Sequence, residues 1–188
     1  FANDVIRDKL AALKNNTDIT DLLEVPDIKI PKDGVAEVFL GMAKILTREQ
    51  SLDSGIIFSR LSLFLKPDLN HSKILLAQLL STQEQIDDSI AVYKSIPKGN
   101  SDHILAQRNI ANLLVEKEQT NEAIEILEGI YQEYSDLDAL IQIGDIHRFE
   151  EDYQSAVKAY NRVVSDLNND VTKEHWHVLY ARGMAYER

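Results

Sequence analysis

Small residues recur along this chain at a nearly constant spacing, and this period limits the possible folds more than any other feature. A first row, with spacings of 34, 34 and 33 residues, is formed by Ala43, Ala77, Ala111 and Gly144. A second row, 12 residues after each member of the first, is formed by Gly55, Ser89, Ala123 and Ala156. A period near 34 residues is typical of an array of helical hairpins.

The small side chains have a physical role in such an array. Packed helices lie about 8–10 Å apart, depending on the side chains at their contact. Where alanine or glycine lies at the contact, the two helix axes can be as close as about 8 Å. We therefore expect the two rows to face each other inside each hairpin, and stacked hairpins to bury one shared core.

Apolar periodicity and turn residues divide the chain into helices. They predict helices over 36–48, 52–65, 72–82, 86–96, 103–117, 120–134, 137–149 and 152–167, with a last helix from about 173 to the end. The face expected to be buried in the first of these consists of Val38, Phe39, Met42, Ile45 and Leu46. The period pairs the first eight helices into four hairpins and leaves the last helix without a partner.

The two ends of the chain depart from the period. Residues 3–15 are predicted to form an amphipathic helix, with Val5, Ile6, Leu10 and Leu13 on one side. Residues 16–34 contain two prolines and a glycine, and they favour an extended connector that packs on the helices or occupies a groove. The predicted organisation is a helix and connector over 1–35, four hairpins over 36–171, and the first helix of a further repeat over 172–188.

That final helix carries apolar residues without a predicted partner, and Gly183 implies an insertion near 167–172. We therefore expect the chain to be a piece of a longer protein. The alternative is that the last helix packs on a second copy and forms a homodimer.

Composition excludes several classes of function. The net charge is −11, with 31 acidic and 20 basic residues, and no basic stripe of the kind that binds nucleic acid is present. The chain has no cysteine, which excludes disulfides and thiolate metal sites. No apolar run approaches the roughly 20 residues that span a bilayer.

The residues that could carry chemistry also have ordinary structural explanations. His175 and His177 are two positions apart, so a helix directs them to different sides, and Trp176 between them is expected to pack. His71 and His103 fall in predicted turns between repeats, and His147 falls in a core row. Paired acids suit helix N-termini, and no phosphate loop or nucleophile motif is present. We therefore expect no catalytic site, metal or cofactor.

The alternation of small residues, followed by an aromatic residue and a proline, resembles the tetratricopeptide repeat. The best match runs from Leu140 to Gly144 and continues from Tyr153 to Tyr160. The resemblance implies an all-α, right-handed solenoid of antiparallel helix hairpins. It also implies a non-catalytic scaffold or adaptor that binds a protein or peptide in a concave groove. The alternatives are a targeting or regulatory array of a larger enzyme and a self-assembly module.

By the same resemblance, the first helix of each hairpin lines the concave groove. The implied lining consists of Lys44, Arg48, Gln78, Arg108, Asn112, Asp145 and Arg148, joined by Leu40, Ile74, Ile141 and Tyr180. Arg108 and Asn112 are four residues apart and share a helix face, where they could hold a terminal carboxylate. Gln142 matches the rest of such a clamp only in part, and His177 and Ala181 do not complete it. A mixed groove for a helix or an extended peptide is therefore favoured.

Three further segments, 32–43, 63–68 and 180–188, are similar to long tetratricopeptide repeat proteins of alphaproteobacteria. This second resemblance implies a bacterial scaffold and leaves its compartment open between the cytoplasm and the periplasm or envelope.

Overall fold

A computed structural model describes residues 28–99, 101–167 and 172–188, except for the side chain of Glu174. Within these ranges the regular elements are nine α-helices and one short 3₁₀ helix, Lys173–His175, without a strand. The α-helices are α1 Pro31–Arg48, α2 Leu52–Leu65, α3 Asn70–Thr82, α4 Ile86–Lys94, α5 Ser101–Glu116, α6 Thr120–Tyr134, α7 Leu137–Phe149, α8 Tyr153–Asp166 and α9 Trp176–Tyr186. None of these described helices is both long and apolar enough to cross a membrane. The chain divides into two compact units, Phe1–Pro67 and Asp68–Arg188.

Most predicted helix bounds agree with the structure to within two residues, but the start of α1 does not. The helix begins at Pro31 rather than at residue 36. Proline is favoured in the first turn of a helix because its missing N–H needs no partner there. The Asp33 carboxylate accepts hydrogen bonds from the N–H groups of Lys29 and Ile30, at 2.9 and 3.1 Å, and these bonds lower its pKa. The predicted helix over 3–15, most of the connector and most of the expected insertion lie outside the described residues.

The first unit contains the hairpin of α1 and α2, and its interface uses small residues of α1. Ala36 and Ala43 are completely buried, and Leu40 is 3% exposed. The Ser62 hydroxyl of α2 donates to the carbonyl oxygen of Ala36 at 2.8 Å, which requires the two backbones to lie close together. The small-residue row therefore faces the partner helix in this hairpin.

The face of α1 that was predicted to be buried is largely open. Val38, Met42 and Ile45 are 60%, 40% and 57% exposed, so the prediction was wrong for these three. Phe39 does pack inward, with its ring centroid 5.8 Å from that of Phe58. The prediction failed because a helix of a repeat has two apolar sides, and the apolar pattern alone does not show which side faces the partner in the hairpin.

The second unit contains three hairpins, formed by α3 with α4, α5 with α6, and α7 with α8. Successive hairpins contact each other through α4 and α5 and through α6 and α7, and α9 packs on α8 and α7. Ala77, Ala111, Ala123 and Ala156 are all completely buried. These pairings are the ones that the 34-residue period predicts, and they enclose one apolar core that extends from Ala77 to Ala185.

The turn inside each hairpin repeats as regularly as the small residues. Each turn has one residue in the left-handed region, with φ between 60° and 62°: Gln50, Glu84, Glu118 and Glu151. The N–H of the following residue donates to the carbonyl oxygen five positions earlier, at 2.8–2.9 Å. This is the hydrogen-bond pattern of a helix end that is usually completed by glycine. Sequence reasoning missed it because glutamate and glutamine occupy the glycine position.

These turns lead to a stability prediction. A left-handed residue with a Cβ costs about 1–2 kcal/mol, and glycine avoids this cost but loses more backbone entropy on folding. We expect Glu118→Gly to raise the free energy of unfolding by about 0.5–1 kcal/mol. Urea denaturation would measure the change, with Glu125→Gly in the middle of α6 as the control that loses about 1 kcal/mol. A loss of stability in Glu118→Gly would contradict the assigned turn.

Candidate functional site

Two polar clefts adjoin on one side of the second unit, and we call them together the amide groove. The first cleft, about 280 Å³, is lined by Gln78, Ser81, Thr82, Tyr93, Asn109, Asn112, Leu113 and Glu116. The second, also about 280 Å³, is lined by Leu105, Arg108, Asn109, Asn112, Asp138, Ile141, Gln142 and His177. Because both contain Asn109 and Asn112, the groove passes from α3 across α5 to α7 and the first turn of α9.

The repeat register places amide side chains along this groove. Gln78 and Asn112 each follow a member of the first small row by one position. Asn109 and Gln142 each precede a member of that row by two positions. Positions three apart on a helix share a face, so both sets of amides belong to the same side of their helices. Sequence analysis named Gln78, Arg108 and Asn112 but missed Asn109, which is three residues from Asn112 and detectable by that spacing.

An amide–amide hydrogen bond joins two successive hairpins at the floor of the groove. The Gln142 Nε2 atom donates to Asn112 Oδ1 at 2.8 Å and approaches the carbonyl oxygen of Arg108 at 3.5 Å. Gln142 Oε1 is buried, and within the described part of the chain it has no hydrogen-bond partner. The two side chains at this contact are uncharged amides, which offer both donor and acceptor groups.

Arg108 lines the amide groove, but its guanidinium is already paired. Its Nη1 atom lies 3.5 Å from Asp136 Oδ1 and also forms a close ion pair with Asp138 Oδ2. Asp136 caps the N-terminus of α7, because its carboxylate accepts from the N–H of Ala139 at 2.9 Å. Two carboxylates thus neutralise the arginine, and capture of a ligand carboxylate would require it to leave them.

Asp145 and Arg148 belong to a polar contact within the third hairpin of this unit. Asp145 Oδ1 accepts from the Tyr160 hydroxyl at 2.7 Å and from Arg148 Nη2 at 3.3 Å. Burial, and then the hydrogen bond to Asp145, raise the pKa of the Tyr160 phenol above its ordinary value. Neither Asp145 nor Arg148 lines the two clefts, so this pair ties α7 to α8 rather than contributing to the amide groove.

The other residues implied by the resemblance fall in several places. Lys44 and Arg48 are exposed on α1 in the first unit. Leu40 is buried in the hairpin of that unit, so its expected place on a binding surface was wrong. Ile141 lines the amide groove, and Ile74 packs partly against the core of the second unit.

Histidine and tryptophan positions also differ from expectation. His103 lies within α5, is 8% exposed, and has its Nδ1 atom 3.2 Å from the carbonyl oxygen of Ile96, so it is not a turn residue. His71 likewise lies within α3. Trp176 is 66% exposed, and its ring meets the His177 ring edge-on. Within the described ranges, no three side chains gather as metal ligands would.

A larger cleft, about 670 Å³, lies between the start of α8 and the end of α9. Its lining consists of Glu151, Asp152, Tyr153, Gln154, Val157, Lys158, Ala185, Tyr186 and Arg188. One repeat earlier, the Thr120 hydroxyl donates to Glu150 of the following hairpin at 3.1 Å. The lining of the larger cleft includes four charged side chains and a single amide, that of Gln154, so the amide groove is the better candidate.

Comparison with known proteins gives a family match and several similar folds. Residues 137–165, which cover α7 and most of α8, match the model of the tetratricopeptide repeat. A tetratricopeptide repeat protein from Parabacteroides merdae is 12% identical with a TM-score of 0.65, and the match covers 98% of this chain and 72% of that one. MamA from Desulfovibrio magneticus RS-1 is 16% identical with a TM-score of 0.59, and the match covers 84% of this chain and 91% of that one.

A third similar structure is YrrB, described as a TPR protein with an unusual peptide-binding site. It is 15% identical with a TM-score of 0.53, and the match covers 79% of this chain and 75% of that one. No curated protein matches the chain in sequence. At these identities the likeness to the solved structures is one of fold.

Proposed function

We propose that this chain is a tetratricopeptide repeat scaffold without catalytic activity, and that its amide groove binds an extended segment of a partner protein. Stacked helical repeats form extended surfaces that commonly serve for binding. The observation that carries the proposal is the succession of amide side chains across α3, α5 and α7, with Asn109 and Asn112 shared by both clefts.

Amide side chains are suited to the main chain of a peptide. An extended peptide presents an N–H or C=O group at each residue, about every 3.3 Å. Asparagine and glutamine both donate and accept hydrogen bonds, so they can pair with either group. The hydrogen bond between Gln142 and Asn112 holds two of these amides in place, which lowers the ordering cost of binding.

The charges beside the groove favour a neutral or basic segment over an acidic one. Glu116 and Asp138 line the clefts. Asp136 and Asp138 both form ion pairs with the Arg108 guanidinium. Arg108 is thus already neutralised, and Leu105 and Ile141 supply apolar contacts. Capture of a terminal carboxylate by Arg108 and Asn112 is the less favoured mode because it would break two ion pairs.

A binding experiment tests the proposal. Peptides selected from a random library on the whole chain would be measured by isothermal titration against the wild type and against Asn112→Ala and Gln142→Ala. We expect each variant to bind at least tenfold more weakly, which corresponds to about 1.4 kcal/mol. The matched control is Gln132→Ala, the loss of an exposed amide on α6, which should change affinity less than twofold.

Two outcomes would count against this function. Equal affinity of the wild type and both groove variants would place the binding surface elsewhere. If amidation of the peptide C-terminus abolished binding, the site would recognise the terminal carboxylate and not the peptide main chain.

A further inference from the structure

The first helices of the later repeats bury a row of side chains against the preceding helix. The row is easiest to identify on α9, because the described residues include no second helix that packs on its other side. Its members there are Val178 and Ala185, which are 1% and 4% exposed, and α9 packs on α8 and α7. At the corresponding positions, α5 has Ala106 and Leu113, and α7 has Ala139 and Ile146, all of them buried. The row faces backward along the chain, toward α4, α6 and α8 in turn.

The same row on α1 is apolar and open. It consists of Val35, Val38, Met42 and Ile45, which are 46%, 60%, 40% and 57% exposed. The opposite side of α1 is buried on α2. By the internal register of the chain, α1 therefore has a surface shaped to accept a preceding helix. We call these four residues the α1 stripe.

We propose that residues 3–15 of this chain dock on the α1 stripe as that preceding helix. For α5, α7 and α9 the covering helix is the one that comes immediately before in the chain, and residues 1–30 precede α1. Within them, the sequence predicts one amphipathic helix, with Val5, Ile6, Leu10 and Leu13 on one side. Thirteen helical residues extend about 20 Å, enough to cover the stripe, whose ends are about 15 Å apart.

The connection is long enough for this placement. Fifteen residues, 16–30, separate the predicted helix from α1, and an extended chain of that length spans about 50 Å. A helix that runs antiparallel to α1 needs far less than this. The docking does not depend on the amide groove, which lies in the second unit, so it stands or fails separately from the proposed function.

An exposed apolar row on α2 provides a matched control. Ile57, Leu61 and Phe64 are 56%, 39% and 79% exposed. The corresponding positions of the later second helices are polar or small, such as Glu125 and Gly129 on α6 and Lys158 and Arg162 on α8. No stacked repeat covers that row in the second unit, so the register predicts no helix there.

The absence of cysteine from the chain makes cross-linking a direct test. The test variant is Ile6→Cys with Met42→Cys, and the control is Ile6→Cys with Leu61→Cys, because Met42 and Leu61 are almost equally exposed at 40% and 39%. A short bismaleimide would be added to dilute protein and the products analysed by mass spectrometry. We expect the test pair to form an intramolecular link at least tenfold faster than the control pair. Addition of Val38→Asp should abolish this advantage, whereas Ile57→Asp should preserve it.

Three results would overturn the proposal. Equal rates for the two pairs would show that residues 3–15 have no preference for the α1 stripe. Links that form only between molecules, at a rate that rises with concentration, would identify a second copy as the occupant. Retention of the full advantage in the Val38→Asp variant would show that the apolar stripe is not the docking surface. Circular dichroism of each variant would verify that the helices remain formed.

Discussion

Replacing Leu127 by alanine is expected to lower the free energy of unfolding of the second unit by about 2–5 kcal/mol. Leu127 lies on α6, is completely buried, and belongs to the core that the three hairpins share. Its truncation removes apolar contacts and leaves a cavity in a close-packed interior. Stacked repeats stabilise one another through their interfaces, so the loss should affect the neighbouring hairpins as well. Urea denaturation followed by circular dichroism would measure it.

The control for this prediction is the same substitution at Leu105. Leu105 lies on α5, lines the amide groove and is 37% exposed, so its truncation should cost less than about 1 kcal/mol. Equal losses for Leu127→Ala and Leu105→Ala would mean that α6 does not pack into a common core.

Adding a single methyl group at Gly144 is expected to lower the free energy of unfolding by about 1–3 kcal/mol. A Cβ at this position would lie 2.4 Å from Cε1 of the Tyr160 ring, well inside van der Waals contact. The ring cannot easily move, because it is completely buried and its hydroxyl donates to Asp145 at 2.7 Å. Thermal or urea denaturation of Gly144→Ala would show the loss.

Two further variants isolate the cause. Gly129→Ala, on α6, places a methyl group where no atom lies within 4 Å, so it should raise stability by about 0.5–1 kcal/mol through helix propensity alone. Tyr160→Leu combined with Gly144→Ala recreates the pair found one repeat earlier, Ala111 and Leu127. The double variant should be more stable than the sum of its single changes predicts. A Gly144→Ala protein as stable as the wild type would contradict the close packing of α7 on α8.

The sequence allowed the helices and their pairing to be predicted because one physical constraint recurs in every hairpin. Where two helix axes must approach, only a small residue fits, and this requirement is visible at Ala77, Ala111 and Gly144 without coordinates. The start of α1 was harder to predict, since Pro31 can either end a connector or begin a helix. The carboxylate of Asp33 favours the second outcome by accepting hydrogen bonds from two backbone N–H groups.

The orientation of α1 could not be predicted because both of its sides carry apolar residues. In the second unit, α5 and α7 each bury one side in their own hairpin and another against the preceding helix. A helical periodicity shows that such sides exist but not which neighbour covers each. Val38 and Met42 were therefore assigned to the hairpin, whereas the structure leaves them open.

For the candidate site, the sequence-based prediction named polar residues of α3 and α5, but it did not include how these residues pair. Arg108 pairs with Asp136 and Asp138 of the next hairpin, residues about one repeat away in sequence. Asp145 is occupied by Tyr160 within its own hairpin. Such pairings depend on side-chain reach across an interface, which spacing along one helix does not describe. They change the expected chemistry from capture of a carboxylate to hydrogen bonding by amides.

The most direct test of the central claim is a map of the surface that a bound peptide covers. Nuclear magnetic resonance of the isotope-labelled chain, titrated with a selected peptide, would follow the side-chain amide signals of Gln78, Asn112 and Gln142. Our account predicts that these signals shift together with the backbone signals of α5 and α7 that border the groove, while those of Gln132 and Gln154 stay unchanged. Shifts confined to the outer surfaces of α6 and α8, with the three groove amides unaffected, would contradict it.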